Sequence, residues 1–163
     1  MKKLNFGSGA LFMDGYDNVD IQKGEGIYKS FNFDKFPYPL ESNTYDYIFS
    51  SMVLEHIEKR EEAINELHRI CKKGAIIHIQ VAYWNNKGAW NDIGDKRGFT
   101  EVTFKNLVDN GTYINKIKRF ELVKIKIVPT KIGKFLPESL RKKLNLFISG
   151  LISQIHVDLK VIK

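Results

Sequence analysis

The sequence is poor in the features that mark secreted, membrane-spanning or repetitive chains. Its 163 residues include one cysteine, Cys71, so no internal disulfide can form and a reducing, cytoplasmic environment is expected. No apolar run approaches the roughly 18 residues of a membrane span. Met1-Lys2-Lys3 leads directly into a predicted strand, which leaves no room for the apolar core of a signal peptide. Residues 1–163 are therefore predicted to form a single domain.

Several common ligand-binding and catalytic motifs are also missing. No G-x-x-x-x-G-K-[ST] phosphate loop occurs, and Gly7-Ser8-Gly9 is not a nucleophile elbow because Phe6 stands at the required first glycine. The dinucleotide motif G-x-G-x-x-G fails at Phe12, and Asp20 follows Gly9 too closely for a full helix and crossover between them. A pyrophosphate site is not expected. No metal site is expected either, because the one helical His–Cys pair has no second pair nearby.

What the sequence does contain is a strand that runs into a glycine turn. Leu4 and Phe6 alternate with polar residues before Gly7 and Gly9, where the backbone can adopt positive φ and a ligand can approach the main chain closely. Val19-Asp20-Ile21 reads as a second short strand. A carboxylate at the end of that strand can accept hydrogen bonds from both hydroxyls of a ribose. The two features together predict a nucleoside-containing cofactor.

The rest of the chain alternates between predicted strands and helices. The Ala75–Val81 run is predicted to be a central strand buried on both faces, and the strand through Val123 to Ile127 is predicted to lie near an edge. The predicted elements after the second strand are strands at Tyr28–Phe33, Tyr45–Ser51 and Ala75–Val81, a helix from Glu58 to a stop at Gly74, a helix from Thr100 through Asn110 closed by Gly111, the Val123–Ile127 strand, a helix at Pro137–Ile152 and a strand at Val157–Val161.

In their order and spacing, these elements resemble a class I S-adenosylmethionine-dependent methyltransferase of the compact type with an L-N-x-G-C-G-like first motif. The resemblance covers roughly Lys3 to Leu107. It implies a methyltransferase enzyme with a Rossmann-like, doubly wound α/β fold, a mostly parallel sheet and a C-terminal antiparallel strand. The segments that carry it are Leu4–Gly9, Asn18-Val19-Asp20-Ile21, Phe36-Pro37-Tyr38-Pro39, Tyr45–Ser51 and Leu54-Glu55-His56-Ile57.

The resemblance also implies S-adenosyl-L-methionine as the cofactor and assigns residues to it. Two departures from the family pattern are Ser8, where cysteine is usual, and Asn32, where aspartate is usual; the Asn32 amide oxygen can still accept from the adenine amino group. By resemblance, the methionine part borders Asn5, Gly7, Ser8 and Gly9, the ribose binds Asp20, the adenine packs on Ile21 and lies near Asn32 and Phe33, and the sulfonium lies over Ser50 and Ser51.

His56 is the candidate general base, because its motif follows a strand at the cofactor edge and histidine titrates near neutral pH. A histidine that only packs beside the cofactor is the alternative. Asp92 and Asp95 are candidates to orient an acceptor. Residues 84–99 are predicted to form a lid, which together with the C-terminal part must replace the N-terminal helices that often cover the substrate in this family. Tyr83, Trp84 and Trp90 are assigned to lid and substrate, where the tryptophans either stack on an acceptor or plug the cofactor pocket.

The expected acceptor is a small molecule, with glycan-linked and lipid-linked molecules as options. Two other functions stay open: a protein that binds the cofactor without catalysis, and a nucleic-acid methyltransferase. The Asn/Asp-Pro-Pro-Tyr motif that acts on base amino groups is replaced here by Ser50-Ser51-Met52-Val53, which makes nucleic acid the less favoured acceptor.

The C-terminal part is strongly basic, with 12 lysine and arginine residues against three acidic residues from Lys116 onward. Such asymmetry suggests either an anionic partner or a solvated lysine-rich surface. The 132–152 stretch is predicted as a helical insertion whose apolar stripe covers the sheet, which predicts little membrane binding. The alternative is an interfacial helix that makes peripheral contact with an anionic membrane. The predicted stripe consists of Leu140, Leu144, Phe147, Ile148 and Leu151.

Overall fold

The fold is a seven-stranded sheet with two helices packed on one face, in a computed structural model that describes residues 1–91, 93–95, 98–112 and 116–163. Two single-turn 3-10 segments, Lys87–Ala89 and Gly133–Phe135, lie in the connections. In chain order the elements are β1 (Lys3–Phe6), β2 (Asp17–Asp20), β3 (Lys29–Ser30), β4 (Tyr45–Ser51), α1 (Arg60–Ile70), β5 (Cys71–Ala82), α2 (Glu101–Asn110), β6 (Phe120–Pro129), α3 (Glu138–Leu144) and β7 (Ile152–Val161).

The strand order is β3-β2-β1-β4-β5-β7-β6. β1 to β5 pair in parallel, whereas β7 lies antiparallel between β5 and β6. The order reverses between β1 and β4, and ligands bind beside such a reversal, outside the carboxyl ends of the strands. The predicted Rossmann-like α/β fold with antiparallel C-terminal pairing is confirmed. The predicted edge position of the Val123–Ile127 strand is confirmed, because β6 is the outermost strand and β7 lies inside it.

One face of the sheet carries the core. Apolar side chains from β1, β4, β5 and β7 form a single cluster with the buried faces of α1 and α2. On the opposite face, every second residue of β5 is only half-buried, including Ile76, His78 and Gln80. The prediction that β5 is buried on both faces is therefore wrong, because both helices cover the same side. Within the described residues, no helix has both the length and the apolarity needed to cross a bilayer.

Two element boundaries differ from the predictions. α1 ends at Ile70, and Cys71 already begins β5, so Gly74 is not the helix stop. Gly74 instead has a φ of 79° inside β5, where the register opposite β4 is irregular. The third strand is only Lys29–Ser30, because the following aromatic residues turn into the core.

The helix α2 follows the prediction closely. Thr100 accepts a hydrogen bond from the Thr103 amide at its N-terminus, and Gly111 ends the helix with a φ of 71°. The Thr103 hydroxyl oxygen in turn accepts a hydrogen bond from the Thr100 amide, so the two residues form a capping box. The cap places Phe99 and Phe104 stacked against each other at the end of the core.

The predicted helix at Pro137–Ile152 is wrong in extent and in packing. Only Glu138–Leu144 is α-helical, and β7 already begins at Ile152. Phe147 is 86% exposed, whereas Arg141 and Asn145 are buried. The apolar stripe does not cover the sheet, because polar residues occupy the inward positions of this segment.

Candidate active site

The glycine turn after β1 joins the ends of three strands. The backbone amides of Gly7 and Ser8 donate to the Val19 carbonyl in β2, at 2.9 and 3.0 Å. Gly7 has a φ of 75°, and a Cβ atom there would lie 2.3 Å from a methyl group of Val53, in the segment after β4. Glycine is therefore required at position 7 by both backbone conformation and packing.

Asp20 lies beside this turn at the end of β2. Its carboxylate accepts the Gly9 amide at 2.8 Å and the Gln22 amide at 3.0 Å. Because an ionised carboxylate offers about four lone-pair sites, acceptor capacity remains for two hydroxyl groups. Gly9 is exposed, and no atom lies within 4 Å of where its Cβ would stand, so a ligand can approach the backbone.

A cavity of about 210 Å³ lies at this corner. It includes the predicted residues Gly9 and Asp20, together with residues of the two neighbouring loops that sequence reasoning did not assign. For the loop after the second strand a signal was available, because Gln22 to Gly26 is polar and contains two glycines. The lining residues are Gly9, Phe12, Asp20, Gln22, Lys23, Gly24, Glu25 and Ile27.

Asn5 holds the turn from behind. Its buried side-chain amide donates to the Leu11 carbonyl at 2.7 Å and to Asn18 Oδ1 at 2.8 Å. Asn18 Oδ1 also accepts the Met13 amide at 3.0 Å. Both amide hydrogens of Asn5 are thus used to fix the connection between β1 and β2. Its predicted position beside the methionine part of the cofactor stays a prediction.

The three residues assigned to adenine lie close to Asp20 in sequence but differ in exposure. Ile21 is exposed, whereas Phe33 is buried and stacks on Phe6 with ring centroids 4.2 Å apart. Asn32 is exposed, and its Oδ1 accepts the Asp34 amide at 2.8 Å. The second lone pair of that oxygen remains able to accept from an amino group.

Two buried serine hydroxyls lie at the ends of β1 and β4. Ser8 Oγ and Ser50 Oγ have no hydrogen-bond partner among the described residues. A buried hydroxyl without a partner is destabilising, so a polar ligand at this edge would satisfy both groups. Ser51 differs, because its hydroxyl donates to Gln80 Oε1 at 3.2 Å on the half-exposed face.

His56 is paired with a carboxylate that lies in the predicted lid. Its Nδ1 atom is 3.2 Å from Asp95 Oδ1, and the Asp95 side chain is almost buried while His56 is half exposed. A carboxylate at Nδ1 orients the ring and leaves Nε2 as the nitrogen that can accept a proton. Asp92, the other predicted acidic candidate, lies outside the described residues.

Glu55, next to His56, is a buried carboxyl to which the sequence alone assigned no role. The carboxyl is buried, its Oε1 accepts the Ala82 amide at 2.8 Å, and its Oε2 has no partner within the described chain. Burial raises the pKa of Glu55, and the neighbouring Asp95 carboxylate acts in the same direction. The available signal was a charged residue placed among the apolar Val53, Leu54 and Ile57.

The two ends of the 84–99 loop are hydrogen-bonded to each other. The Trp84 amide donates to the Phe99 carbonyl at 3.0 Å, and Trp90 Nε1 donates to the Trp84 carbonyl at 3.0 Å. Both indole rings are exposed, whereas Tyr83 is buried with its hydroxyl 3.3 Å from Glu101 Oε2. Compact loops with close ends are often functional. Its role as a lid remains a prediction.

A larger cavity of about 660 Å³ lies between α1 and α2. None of the residues predicted for the cofactor or for catalysis lines it, and it borders the chain next to residues 113–115, which are not described. We place the candidate site at the Gly9–Asp20 corner instead, because backbone amides and a carboxylate converge there at the strand-order reversal.

The donor set at this corner fits S-adenosylmethionine. The Asp20 carboxylate can still accept hydrogen bonds from the ribose hydroxyls, and a ligand can approach the Gly9 backbone. The buried hydroxyls of Ser8 and Ser50 have no partner among the described residues and could bond to polar groups of the ligand. The connection between β1 and β2 contains no helix to receive a pyrophosphate. The site therefore suits a single nucleoside better than a dinucleotide.

Comparison with known proteins bears on the same region. A family model described as "Methyltransferase domain" matches residues 20–79, which run from Asp20 into β5. The chain shares the fold of class I S-adenosylmethionine-dependent methyltransferases, and its residues 20–79 match a methyltransferase domain. The predicted resemblance to class I S-adenosylmethionine-dependent methyltransferases is confirmed, and with it the enzyme class and the cofactor, S-adenosyl-L-methionine. The compact type with its L-N-x-G-C-G-like first motif stays a prediction. A search of curated proteins found no match.

Solved structures share this methyltransferase fold over nearly the whole chain. An S-adenosylmethionine-dependent methyltransferase from Mesorhizobium loti is 15% identical, with a TM-score of 0.66, and the match covers 98% of this chain and 90% of that one. An S-adenosylmethionine-dependent methyltransferase from Archaeoglobus fulgidus is also 15% identical, with a TM-score of 0.67. The match covers 98% of this chain and 85% of that one.

The fold alone does not fix a reaction. The [4+2]-cyclase SpnF matches with 12% identity and a TM-score of 0.62, covering 98% of this chain and 73% of its own. Function resides in sites rather than in folds. The methyltransferase assignment therefore depends on the family match together with the residues at the Gly9–Asp20 corner.

Proposed function

We propose that this methyltransferase acts on a small molecule, with glycan-linked or lipid-linked acceptors included, at the carboxyl edge of β1, β4 and β5. The observation that carries the proposal is the Asp20 carboxylate held against the glycine turn by the Gly9 and Gln22 amides. These bonds pre-orient the carboxylate, so little ordering is left for the moment of binding.

When bound, S-adenosylmethionine supplies an activated methyl group. The chain's own task is alignment: Asp20 and the glycine turn hold the nucleoside, while the acceptor is positioned beside the post-β4 segment that carries His56. An acceptor with an N–H or O–H group would give its proton to His56 Nε2, and Asp95 would stabilise the charged ring.

The exposed rings of Trp84 and Trp90 support a planar or sugar-like acceptor, because flat apolar faces at the site edge can stack on such groups. A cytoplasmic location is part of the same proposal. Burial raises the pKa of the Cys71 thiol to about 12, so the one cysteine is inert and needs no oxidising compartment.

Calorimetry with S-adenosylmethionine, S-adenosylhomocysteine and NAD tests the cofactor assignment. The first two should bind and NAD should not. Asp20→Ala should weaken binding by about 1–3 kcal/mol, the range for a lost hydrogen bond to a charged group. Asp14→Asn, at an exposed carboxylate in the adjoining turn, is the matched control and should bind as the wild type does.

Tight NAD binding, or unchanged affinity in Asp20→Ala, would contradict the proposal. A screen of acceptor classes with methyl-labelled cofactor then tests the substrate half separately. Label transfer to nucleic acid but to no small molecule would show that the acceptor class is wrong while the cofactor assignment stands.

A further inference from the structure

Residues 131–151, which we call the basic-apolar segment, present apolar side chains to solvent. Phe135 is 88% exposed and Leu146 is 70% exposed. Scattered exposed apolar residues are ordinary, but a concentration within one short segment marks an interaction surface. The exposed apolar residues of the segment are Ile132, Phe135, Leu140, Leu146, Phe147 and Ile148.

Polar residues on the inner side of the segment hold it with its apolar side chains facing solvent. The buried Arg141 donates to the carbonyls of Gly133 at 2.8 Å and Leu136 at 2.9 Å. A Cβ atom at Gly133 would lie 1.9 Å from the Leu151 carbonyl oxygen, so the backbones touch here. Because the inner positions are filled and hydrogen-bonded, the outer apolar side chains cannot simply turn inward.

The charges around these side chains are almost all positive. Lys131, Lys134, Lys142 and Lys143 are exposed, and Glu138, which pairs with Lys142 at 2.8 Å, is the one acidic residue in the segment. Lysine is depleted at the centre of protein–protein interfaces, whereas lysines flanking Phe, Leu and Ile are typical of segments that rest on anionic bilayers. Charge complementarity therefore favours a lipid surface.

The segment also adjoins the carboxyl edge of the sheet. Asn86 Nδ2 donates to the Ile152 carbonyl at 2.9 Å, and the Gly150 amide donates to the Asn85 carbonyl at 3.1 Å. The Gly150 bond joins the segment directly to the loop that carries the exposed Trp84 and Trp90, and the Ile152 bond holds the residue that follows the segment. Amphipathic aromatic rings of this kind favour the membrane–water interface.

We propose that the basic-apolar segment docks on the surface of an anionic lipid bilayer, with its apolar side chains at the headgroup boundary and its lysines against acidic headgroups. Docking there would bring the 84–99 loop and the candidate site close to the bilayer. The inference rests on the contacts of residues 131–151 and not on the identity of the methyl acceptor.

Co-sedimentation with vesicles tests this without cofactor or acceptor. The full chain should bind phosphatidylcholine–phosphatidylserine vesicles and should bind pure phosphatidylcholine vesicles much less. Phe147→Glu should weaken binding at least about ten-fold, because an apolar side chain that would leave water on docking is lost and a charge of the wrong sign is added. Val102→Glu, at a comparably exposed apolar residue on α2, is the matched control and should bind normally.

The lysines give a second, independent readout. Each of Lys134→Gln and Lys143→Gln should weaken binding about five-fold, and raised salt should weaken it further, whereas Lys105→Gln on α2 should have no effect. Thermal unfolding checks that each variant folds; if Phe147→Glu does not fold, Phe135→Ser replaces it.

Three outcomes would overturn the proposal. One is the absence of vesicle binding by the wild type, and another is binding that does not depend on phosphatidylserine. The third is a concentration-dependent dimer in sedimentation equilibrium that Phe147→Glu abolishes while vesicle binding is absent, since the surface would then be an interface between copies of this chain.

Discussion

The contact between His56 and Asp95 is the residue-scale feature closest to chemistry. We predict that His56→Ala lowers the methyl-transfer rate by roughly 10²–10⁴-fold at unchanged cofactor affinity, because proton removal from the acceptor is lost. Asp95→Asn should lower the rate in the same way but less, since the ring keeps its position and loses only its charged partner. Rates and calorimetric affinities measured together check this.

His156→Ala, at a histidine on the half-exposed sheet face, is the control and should keep its rate. If rate and cofactor affinity fall together in His56→Ala, the residue shapes the cofactor pocket and is not a base. If the rate does not change, the acceptor needs no base.

Glu55 gives a prediction for the dependence of stability on pH. Its folded pKa is raised by burial above the usual 4.5, so folding favours the protonated form. This stabilisation is complete below pH 4.5 and is lost as the pH rises through the folded pKa. Glu55→Gln does not titrate and keeps an oxygen for the Ala82 amide, so its stability relative to the wild type should increase as the pH rises from 4.5.

Urea unfolding of the wild type and of Glu55→Gln, at a series of pH values upward from 4.5, measures the difference in their free energies of unfolding. Glu55→Asp, which still titrates, should follow the wild-type trend. The raised pKa of Glu55 would be contradicted if the unfolding free energy of Glu55→Gln minus that of the wild type did not change with pH, or if it grew as the pH fell.

At the scale of elements, two glycines with the same backbone conformation allow the cost of backbone strain to be measured apart from the cost of side-chain crowding. Gly7 and Gly15 both have a φ of 75°, but only at Gly7 would a Cβ atom meet another side chain, that of Val53. Gly15→Ala should cost roughly 1–2 kcal/mol of unfolding free energy for the left-handed conformation. Gly7→Ala should cost about 1–3 kcal/mol more, because the β-branched Val53 cannot rotate away cheaply.

Denaturant unfolding of the two variants and of Gly7→Ala/Val53→Ala tests this. The smaller alanine at position 53 should recover part of the extra cost at position 7. Equal losses at the two glycines, or no recovery in the double variant, would show that β1 and the post-β4 segment do not press on each other there.

The elements also show which parts of the fold the sequence specifies locally. α2 was predicted to within a residue, because Thr100 and Gly111 encode both of its ends. The end of α1 was not, since Cys71 continues the apolar pattern into β5 without a turn residue. The prediction for residues 137–152 is wrong because the spacing of apolar residues matches an amphipathic helix, whereas Arg141 is buried by hydrogen bonds to the carbonyls of Gly133 and Leu136 just before the helix.

At the scale of the whole molecule, the sheet has one packed and one half-exposed face. On the latter, the row Phe49, His78 and Asp158 crosses β4, β5 and β7, with His78 stacked on Phe49 and its Nδ1 2.5 Å from Asp158 Oδ1. His78 and Gln80 already interrupt the apolar run of β5, and that alternation was the available sign of a one-sided strand.

The candidate site was predictable only where its residues are neighbours along the chain. Asp20 and the glycine turn are neighbours along the chain, so their spacing reveals the cofactor corner before any fold is known. The pairing of His56 with Asp95 and the burial of Glu55 arise from contacts between β4, β5 and the 84–99 loop. The partners in these contacts cannot be read from a single sequence, although a charged residue among Val53, Leu54 and Ile57 was a local sign for Glu55.

The outer edge of β6 has a consequence for the behaviour of the protein in concentrated solution. A free sheet edge is a template on which other chains can add strands and aggregate. Here the edge strand is interrupted at Val123, where the register with β7 shifts, carries Lys124 and Lys126, and ends at Pro129, which has no amide hydrogen to donate. An incoming strand would find an irregular, positively charged ladder, so this edge is protected against strand addition without a covering helix.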